Sequence, residues 1–324
     1  MENIFDVEVR TVFMGTPQVA VPILESLIRG PCHVLAVYTQ PDKLVGRSQR
    51  LAPPPVKELA IKHKITVIQP KTLKSAEAVR ELASFKPDLI VVAAFGHILP
   101  PEVLSLPKFG CLNVHPSLLP RHRGPSPVAN ALLQGELVTG VTIMLMNENL
   151  DSGPILTQER VDISPLDTTG SLTAKLAHMG TELLMQTLPE WLAGELEPRP
   201  QDESQATYSR LMTSQDGEID WHLLAIELWQ RVRAFNPWPS CYTWWQGKRL
   251  KIHQATVLNE PSKGDIGEVV VLRESPKVGV VAGKDILGLC QVQLEGKREM
   301  PVADFVRGQR NFIGSILGLT QELK

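Results

Sequence analysis

A chain of 324 residues with 43% hydrophobic and 21% charged residues and a formal net charge of −2 has the balance of a soluble folded protein and exceeds the usual span of one domain. No apolar run is long enough to cross a bilayer, and the opening MENIFDVEVRTV carries acids without a basic n-region or an apolar h-region, so a cytoplasmic location is expected. Cys32, Cys111, Cys241 and Cys290 are scattered without CxxC spacing, which argues against a disulfide framework and against a cysteine zinc site.

From Arg10 to about Glu159, short β-branched apolar runs alternate with amphipathic helical stretches, the pattern of βαβ units. Buried strands are predicted at Val9 to Met14, His33 to Thr39, Ile65 to Ile68, Asp88 to Ala94 and Gly110 to His115, and further strands near Gly140 to Leu145 and Pro154 to Val161. Helical spacing falls at Val19 to Ile28, Val56 to His63 and Glu77 to Phe85, then over the longer stretch Ser171 to Leu192, where Leu172, Leu176, Met179 and Leu183 recur every three or four residues. Proline, acids and small polar residues from Glu195 to Gln205 read as linker chemistry. One helical stretch, Trp221 to Phe235, and short alternating runs between Gly and Pro follow. The expected class is therefore α/β: a Rossmann-like, mostly parallel sheet in residues 1–194, a linker over 195–210, and a smaller OB-like β-barrel in 211–324.

Strand one ends in Gly15-Thr16-Pro17-Gln18 without GxGxxG spacing, which disfavours a dinucleotide, and neither GxxxxGK[ST] nor HExxH occurs. The informative stretch is NVHPSLLPRHRGPSP, Asn113 to Pro127, at the carboxyl end of an apolar strand, where open α/β sheets build their sites. Asn113 and His115 are two apart on an extended chain and so point to one face, while Val114 points the other way. An amide and an imidazole side by side suit acyl transfer, because both can donate to a developing oxyanion. Asp151, in the polar loop NENLDSGPI, supplies a carboxylate able either to raise the basicity of His115 or to relay an amine proton. The residues alone indicate an active site without saying which reaction it runs.

The segments FMGTP (Phe13 to Pro17), NVHPSLLPRHRGPSP, GVTI (Gly140 to Ile143), LDSG (Leu150 to Gly153) and RAFNPWP (Arg233 to Pro239) resemble, in order and over nearly the whole chain, the folate-dependent formyltransferases, and among them those acting on methionyl-tRNA. The resemblance implies Asn113, His115 and Asp151 as the catalytic trio, 10-formyltetrahydrofolate as formyl donor, and no metal. It implies a folate site formed partly by Ser117, Leu118, Leu119 and Pro120, with the pterin in an apolar cleft near Val92 to Leu99. Phe95 and Ile98 would line that cleft, although each reads equally well as ordinary strand-end packing.

The long loop QPDKLVGRSQRLAPPP, Gln40 to Pro55, carries Lys43, Arg47 and Arg50, and long loops in compact domains are usually functional. In the family that this chain resembles, a basic loop here grips the acceptor stem of methionyl initiator tRNA, the implied partner of a monomeric enzyme. The basic run is sparser than is usual there, with Ser48 and Gln49 between Arg47 and Arg50. The aromatics Phe235, Trp238, Tyr242, Trp244 and Trp245 beside Arg231 and Arg233 fit either a nucleic-acid surface or, more simply, buried packing. Amino-sugar formyl transfer and formyl-folate hydrolysis use the same trio and remain rivals; a serine hydrolase built on Ser117 lacks a GxSxG elbow.

Overall fold

The computed structural model describes residues 8–45, 50–258, 264–273 and 275–318. The chain divides into two compact units, the first formed by Met1–Pro127, Val138–Asp162 and Thr173–Arg210, the second by Val128–Leu137, Ile163–Leu172 and Leu211–Lys324. The first unit therefore includes the segment 195–210 that composition marks as linker.

In the first unit the chain forms β1 (Val9–Gly15), α1 (Val21–Arg29), β2 (Cys32–Tyr38), β3 (Lys43–Val45), β4 (Arg50–Ala52), α2 (Pro55–Lys62), β5 (Thr66–Ile68), α3 (Ala76–Ser84), β6 (Leu89–Ala93), α4 (Pro101–Leu104) and β7 (Cys111–His115). The chain then passes through α5 (Pro127–Leu133), which falls to the second unit from Val128 on, and returns as β8 (Val138–Leu145), β9 (Ile155–Asp162) and, from Thr173 on, α6 (Thr169–Ala193). Seven strands make one sheet in the order β5-β2-β1-β6-β7-β8-β9. Pairing is parallel from β5 to β7 and antiparallel at β7-β8 and β8-β9. Strands β6 and β7 are buried at every position, as continuous apolar runs covered on both faces require. One face is sealed by a core containing Val12, Met14, Tyr38, Leu82, Ile90 and Phe95. On the other, α6 approaches so closely at Gly180 that a Cβ there would lie 2.7 Å from Val114 Cγ1 and 3.1 Å from Val141 Cγ1. The two short strands β3 and β4, which composition did not announce, pair as an antiparallel hairpin inside the long basic loop.

The second unit carries α7 (Ala225–Ala234), β10 (Cys241–Trp245), β11 (Lys248–Leu258), β12 (Val269–Val271), β13 (Val278–Val281), β14 (Ile286–Leu294), β15 (Met300–Pro301) and α8 (Val302–Gly308). Its six strands pair antiparallel in the order β10-β11-β14-β13-β12, with β15 against β14, a curled antiparallel sheet in the region expected to form the small β-barrel. Trp245 packs edge-on against Phe305 and Phe312 at centroid distances of 5.7 and 5.3 Å, so it is core. Arg233 is also buried: its guanidinium donates to the carbonyls of Ser164 and Asp167, both at 2.8 Å, and lies over the Trp229 ring. That arginine is committed to structure, whereas Trp238 of the same motif is exposed. No helix among the described residues is long and apolar enough to cross a membrane.

The Gly180 contact yields a stability prediction. Gly180→Leu forces a side chain into Val114 and Val141 and is expected to lower the unfolding free energy by about 1–3 kcal/mol, read from the urea midpoint at unchanged slope.

Candidate active site

Strand β7 delivers Asn113 and His115 to one face of the sheet, and Val114 to the other, beneath Gly180. Both polar side chains are buried, His115 to 4% exposure. The third residue arrives by an indirect route. Because β8 runs antiparallel to β7 with Leu145 opposite Leu112, the chain leaves β8 at the amino-terminal end of β7, where Met146 N donates to Cys111 O at 2.8 Å. The segment 146–154 then doubles back along the strand, placing Asp151 beside both residues. Asp151 sits in the left-handed region at φ 47°, unusual for a residue with a side chain.

Asp151 Oδ1 lies 3.5 Å from Asn113 Nδ2, and Oδ2 lies 3.8 Å from His115 Nδ1. The backbone N–H of Gly124 donates to Oδ2 at 2.7 Å, which fixes the carboxylate from the far side. His115 Nε2 is 3.2 Å from His122 O. A carbonyl only accepts, so Nε2 carries the proton and Nδ1 of the neutral ring turns its lone pair toward Asp151. Burial pushes the His115 pKa below its ordinary 6.5, and the negative charge of Asp151 and the His122 carbonyl only partly offset this. A neutral His115 in this tautomer accepts a proton through Nδ1 and donates there only after taking one up. The Asn113 amide donates as it stands, whereas Nδ1 of the neutral His115 ring has no proton to donate.

The trio opens into a cavity of about 560 Å³, within the range of small-molecule sites, whose wall also includes Val92, Phe95, His97, Ile98 and Met146. Phe95 is buried in the wall and its carbonyl is held by Thr16 Oγ1 and Gln40 Nε2, while Ile98 stands exposed at the rim. The Nε2 of His97 is buried without a hydrogen-bond partner among the described residues.

Ser117, Leu118, Leu119 and Pro120 lie outside this lining. Ser117 Oγ donates to Arg121 O at 2.7 Å, Leu118 lies against Gly140, and Leu119 packs on Met144 and Ile155. Thr142 Oγ1 accepts from Leu119 N and donates to Ser117 O, and Gln158 Nε2 donates to Leu119 O. The turn is thus pegged to β8 and β9 and holds the exit of β7.

Lys43 and Arg50 are exposed at the two ends of the β3-β4 hairpin, and Leu44 and Leu51, directly opposite each other between them, are exposed as well. Arg47 lies outside the described residues. Burial first, and the positive charge of Lys43 second, lower the pKa of His97 in the cavity wall. Asp42 anchors that base by accepting from Lys57 Nζ at 2.8 Å and from Gln69 Nε2 at 2.8 Å. Among the described residues no group of three His, Cys, Asp or Glu is placed to hold a metal.

Sequence reasoning missed Gly124, Arg123 and Gln201, which hold Asp151 directly or through one another. Arg123 and Gly124 lie within the NVHPSLLPRHRGPSP stretch that the sequence singles out, and no sequence signal pointed to Gln201.

Comparison with known proteins accords with this geometry. Residues 9–188 match the family model described as formyl transferase, and residues 211–310 match formyl transferase, C-terminal domain. A methionyl-tRNA formyltransferase of Chloroflexus aurantiacus is 46% identical over 92% of this chain and 96% of the relative, and one of Bacillus subtilis is 42% identical over 97% and 99%. Among solved structures, HypX of Aquifex aeolicus in complex with tetrahydrofolic acid aligns with a TM-score of 0.60 at 19% identity, covering 95% of this chain and 48% of HypX. An N-formyltransferase of Helicobacter canadensis in complex with folinic acid and dTDP-3-aminofucose aligns with a TM-score of 0.62 at 21% identity, covering 87% and 99%. At those identities the two structures speak for the fold alone. With both domain models matched in order, and relatives 42% and 46% identical along nearly their full length, the chain belongs to the methionyl-tRNA formyltransferase family.

Proposed function

We propose that this chain transfers the formyl group of 10-formyltetrahydrofolate to the α-amino group of methionyl initiator tRNA, giving N-formylmethionyl-tRNA for translation initiation in the cytoplasm. The observation that carries the reading is the meeting of Asn113, His115 and Asp151 at one cavity wall. All three come from one chain, so a monomer suffices.

In this reading Asn113 Nδ2 leaves its long contact with Asp151 and donates to the oxyanion formed when the neutral amine adds to the formyl carbon. His115 Nδ1 accepts the proton that the attacking nitrogen loses, because its Nε2–H is already given to His122 O. Asp151 stabilises the resulting imidazolium, and the proton returns to the folate nitrogen as the carbon–nitrogen bond to the donor breaks. One N–H bond and one C–N bond are exchanged, with no oxidant and no metal. Phe95 and Ile98 flank the pterin, while Ser117 to Pro120 serve the folate site by holding β7 in place. The expected division gives catalysis to residues 1–194 and an OB-like surface for the tRNA to 211–324, while 195–210, expected as a linker, packs within the first unit.

The exposed Lys43 and Arg50 supply phosphate contacts for the acceptor stem, and Arg47 is assigned the same role from the sequence pattern alone. Leu44 and Leu51 offer an apolar ridge between the charges.

The deciding assay offers 10-formyltetrahydrofolate with methionyl initiator tRNA, methionyl elongator tRNA or a nucleotide-linked amino sugar. Formylation confined to the initiator tRNA is expected, and a preference for the sugar, or formate release without transfer, sinks the proposal. His115→Ala and Asp151→Ala are each expected to lower kcat by roughly 10²- to 10⁴-fold while the circular-dichroism spectrum is retained. Since burial depresses the His115 pKa, the imidazole is neutral above that lowered value and charged only below it; ¹⁵N NMR is expected to show the Nε2-protonated neutral ring persisting at pH 6.5. Lys43→Ala and Arg50→Ala are each expected to weaken tRNA binding and to flatten the slope of log Kd against log salt by about one, leaving KM for the folate unchanged.

A further inference from the structure

We propose that Gln201 is a positioning residue for the catalytic carboxylate, and that the segment around it belongs to the active-site apparatus and does not merely link two domains. The inference rests on the reading of Asp151 as catalytic and extends it to a residue that touches neither the cavity nor any reacting atom.

The starting point is Arg123, whose side chain is 1% exposed. A buried guanidinium is tolerable only when its five N–H donors are satisfied. Nε donates to Gln201 Oε1 at 3.1 Å; Nη1 donates to Glu203 Oε2 at 2.9 Å and to Tyr208 OH at 3.2 Å; Nη2 donates to Gln201 Oε1 at 2.8 Å and to Glu203 Oε1 at 2.7 Å. Five donors meet five contacts, all from the segment after Glu195. The backbone joins the same pairing: Arg123 N donates to Thr207 O, and Ser209 N donates to Arg123 O. Arg199 exchanges both of its backbone hydrogen bonds with Ile155, at the start of β9.

Gln201 passes this anchorage to Asp151. Its oxygen faces a group that only donates, so its orientation is unambiguous, and its two amide protons go to Asp151 O at 2.8 Å and Gly153 O at 2.7 Å. All four bonding positions of the amide are used. The turn they brace is the one that holds Asp151 in the left-handed region, a conformation that persists only when its surroundings over-determine it. A second path reaches the carboxylate itself: Gly124 N donates to Asp151 Oδ2, and Gly124, at φ 106°, sits so near the strap that a Cβ would lie 2.7 Å from Ser209 O. The strap thus grips the catalytic turn at its carbonyls and, through Gly124, at its carboxylate.

Glutamate at 201 keeps the acceptor for Arg123 but loses both donors, and leucine loses donors and acceptor alike. The test uses the full-length enzyme with 10-formyltetrahydrofolate and methionyl initiator tRNA, under single-turnover and steady-state conditions. Gln201→Glu and Gln201→Leu are each expected to lower kcat roughly 10- to 100-fold, the scale of an ångström-sized misplacement, with both KM values within about threefold of wild type. In an Asp151→Asn background, Gln201→Leu is expected to cost nothing further, because a residue acting through Asp151 has nothing left to position. If Gln201→Leu does not fold, the same cycle is run with Gln201→Glu. Wild-type kcat in the folded Gln201 variants, with Asp151→Asn impaired, overturns this inference and leaves the catalytic reading standing. Losses that multiply in the double variant overturn it as well, by showing that Gln201 acts independently of Asp151. Full activity in Asp151→Asn overturns the catalytic reading beneath it.

Discussion

A buried imidazole with a carboxylate 3.8 Å from its Nδ1 is the arrangement on which the first unit turns. Burial alone would make a charged His115 expensive, and it depresses the pKa in the resting protein. The nearby Asp151 lowers the cost of the charged ring when a proton arrives. In the proposed function the pair passes between two states, neutral at rest and charged while it carries a proton. The carbonyl of His122 occupies Nε2 and leaves Nδ1 facing Asp151.

Everything around the pair serves to keep a carboxylate in that position. A parallel sheet continued past β7 would send its next connection across a face of the sheet. Antiparallel pairing of β8 and β9 brings it back as a loop, which folds along β7 and carries Asp151 with it. Such a loop has little packing of its own, and the residue at its turn adopts a conformation that a side chain disfavours. Hydrogen bonds from Gly124 and Gln201 supply what packing does not. Arg123 and Glu203 then tie those donors to a segment that, on composition, has no reason to be ordered.

In the proposed function the cavity and the hairpin divide recognition between them. An apolar wall with Phe95, Ile98 and Met146 suits a flat heterocycle, and the exposed hairpin with Lys43 and Arg50 at its ends suits a polyanion. The tryptophans show how differently neighbouring aromatics are used: Trp245 is core, and Trp238 of RAFNPWP is exposed while Arg233 of the same motif is locked on carbonyls.

The sequence by itself determined the strand runs of the α/β sheet and the course of the long helix, and it singled out Asn113, His115 and Asp151 as candidates. Those features are local: apolar periodicity reports burial within one element, and two residues on one strand share a face whatever surrounds them. Only the tertiary structure decided the strand reversal at β8, the tautomer of His115, the pegging of the turn Ser117 to Pro120 onto β8 and β9, and the partnership of Gln201 with Asp151. The last joins residues 50 apart, and Arg123 joins Gln201 across 78. A Pro-rich polar stretch looks alike whether water or a buried arginine satisfies it, so composition read 195–210 as linker. The pairing of particular donors with particular acceptors, on which catalysis depends, exists only once distant segments have been brought to hydrogen-bond distance.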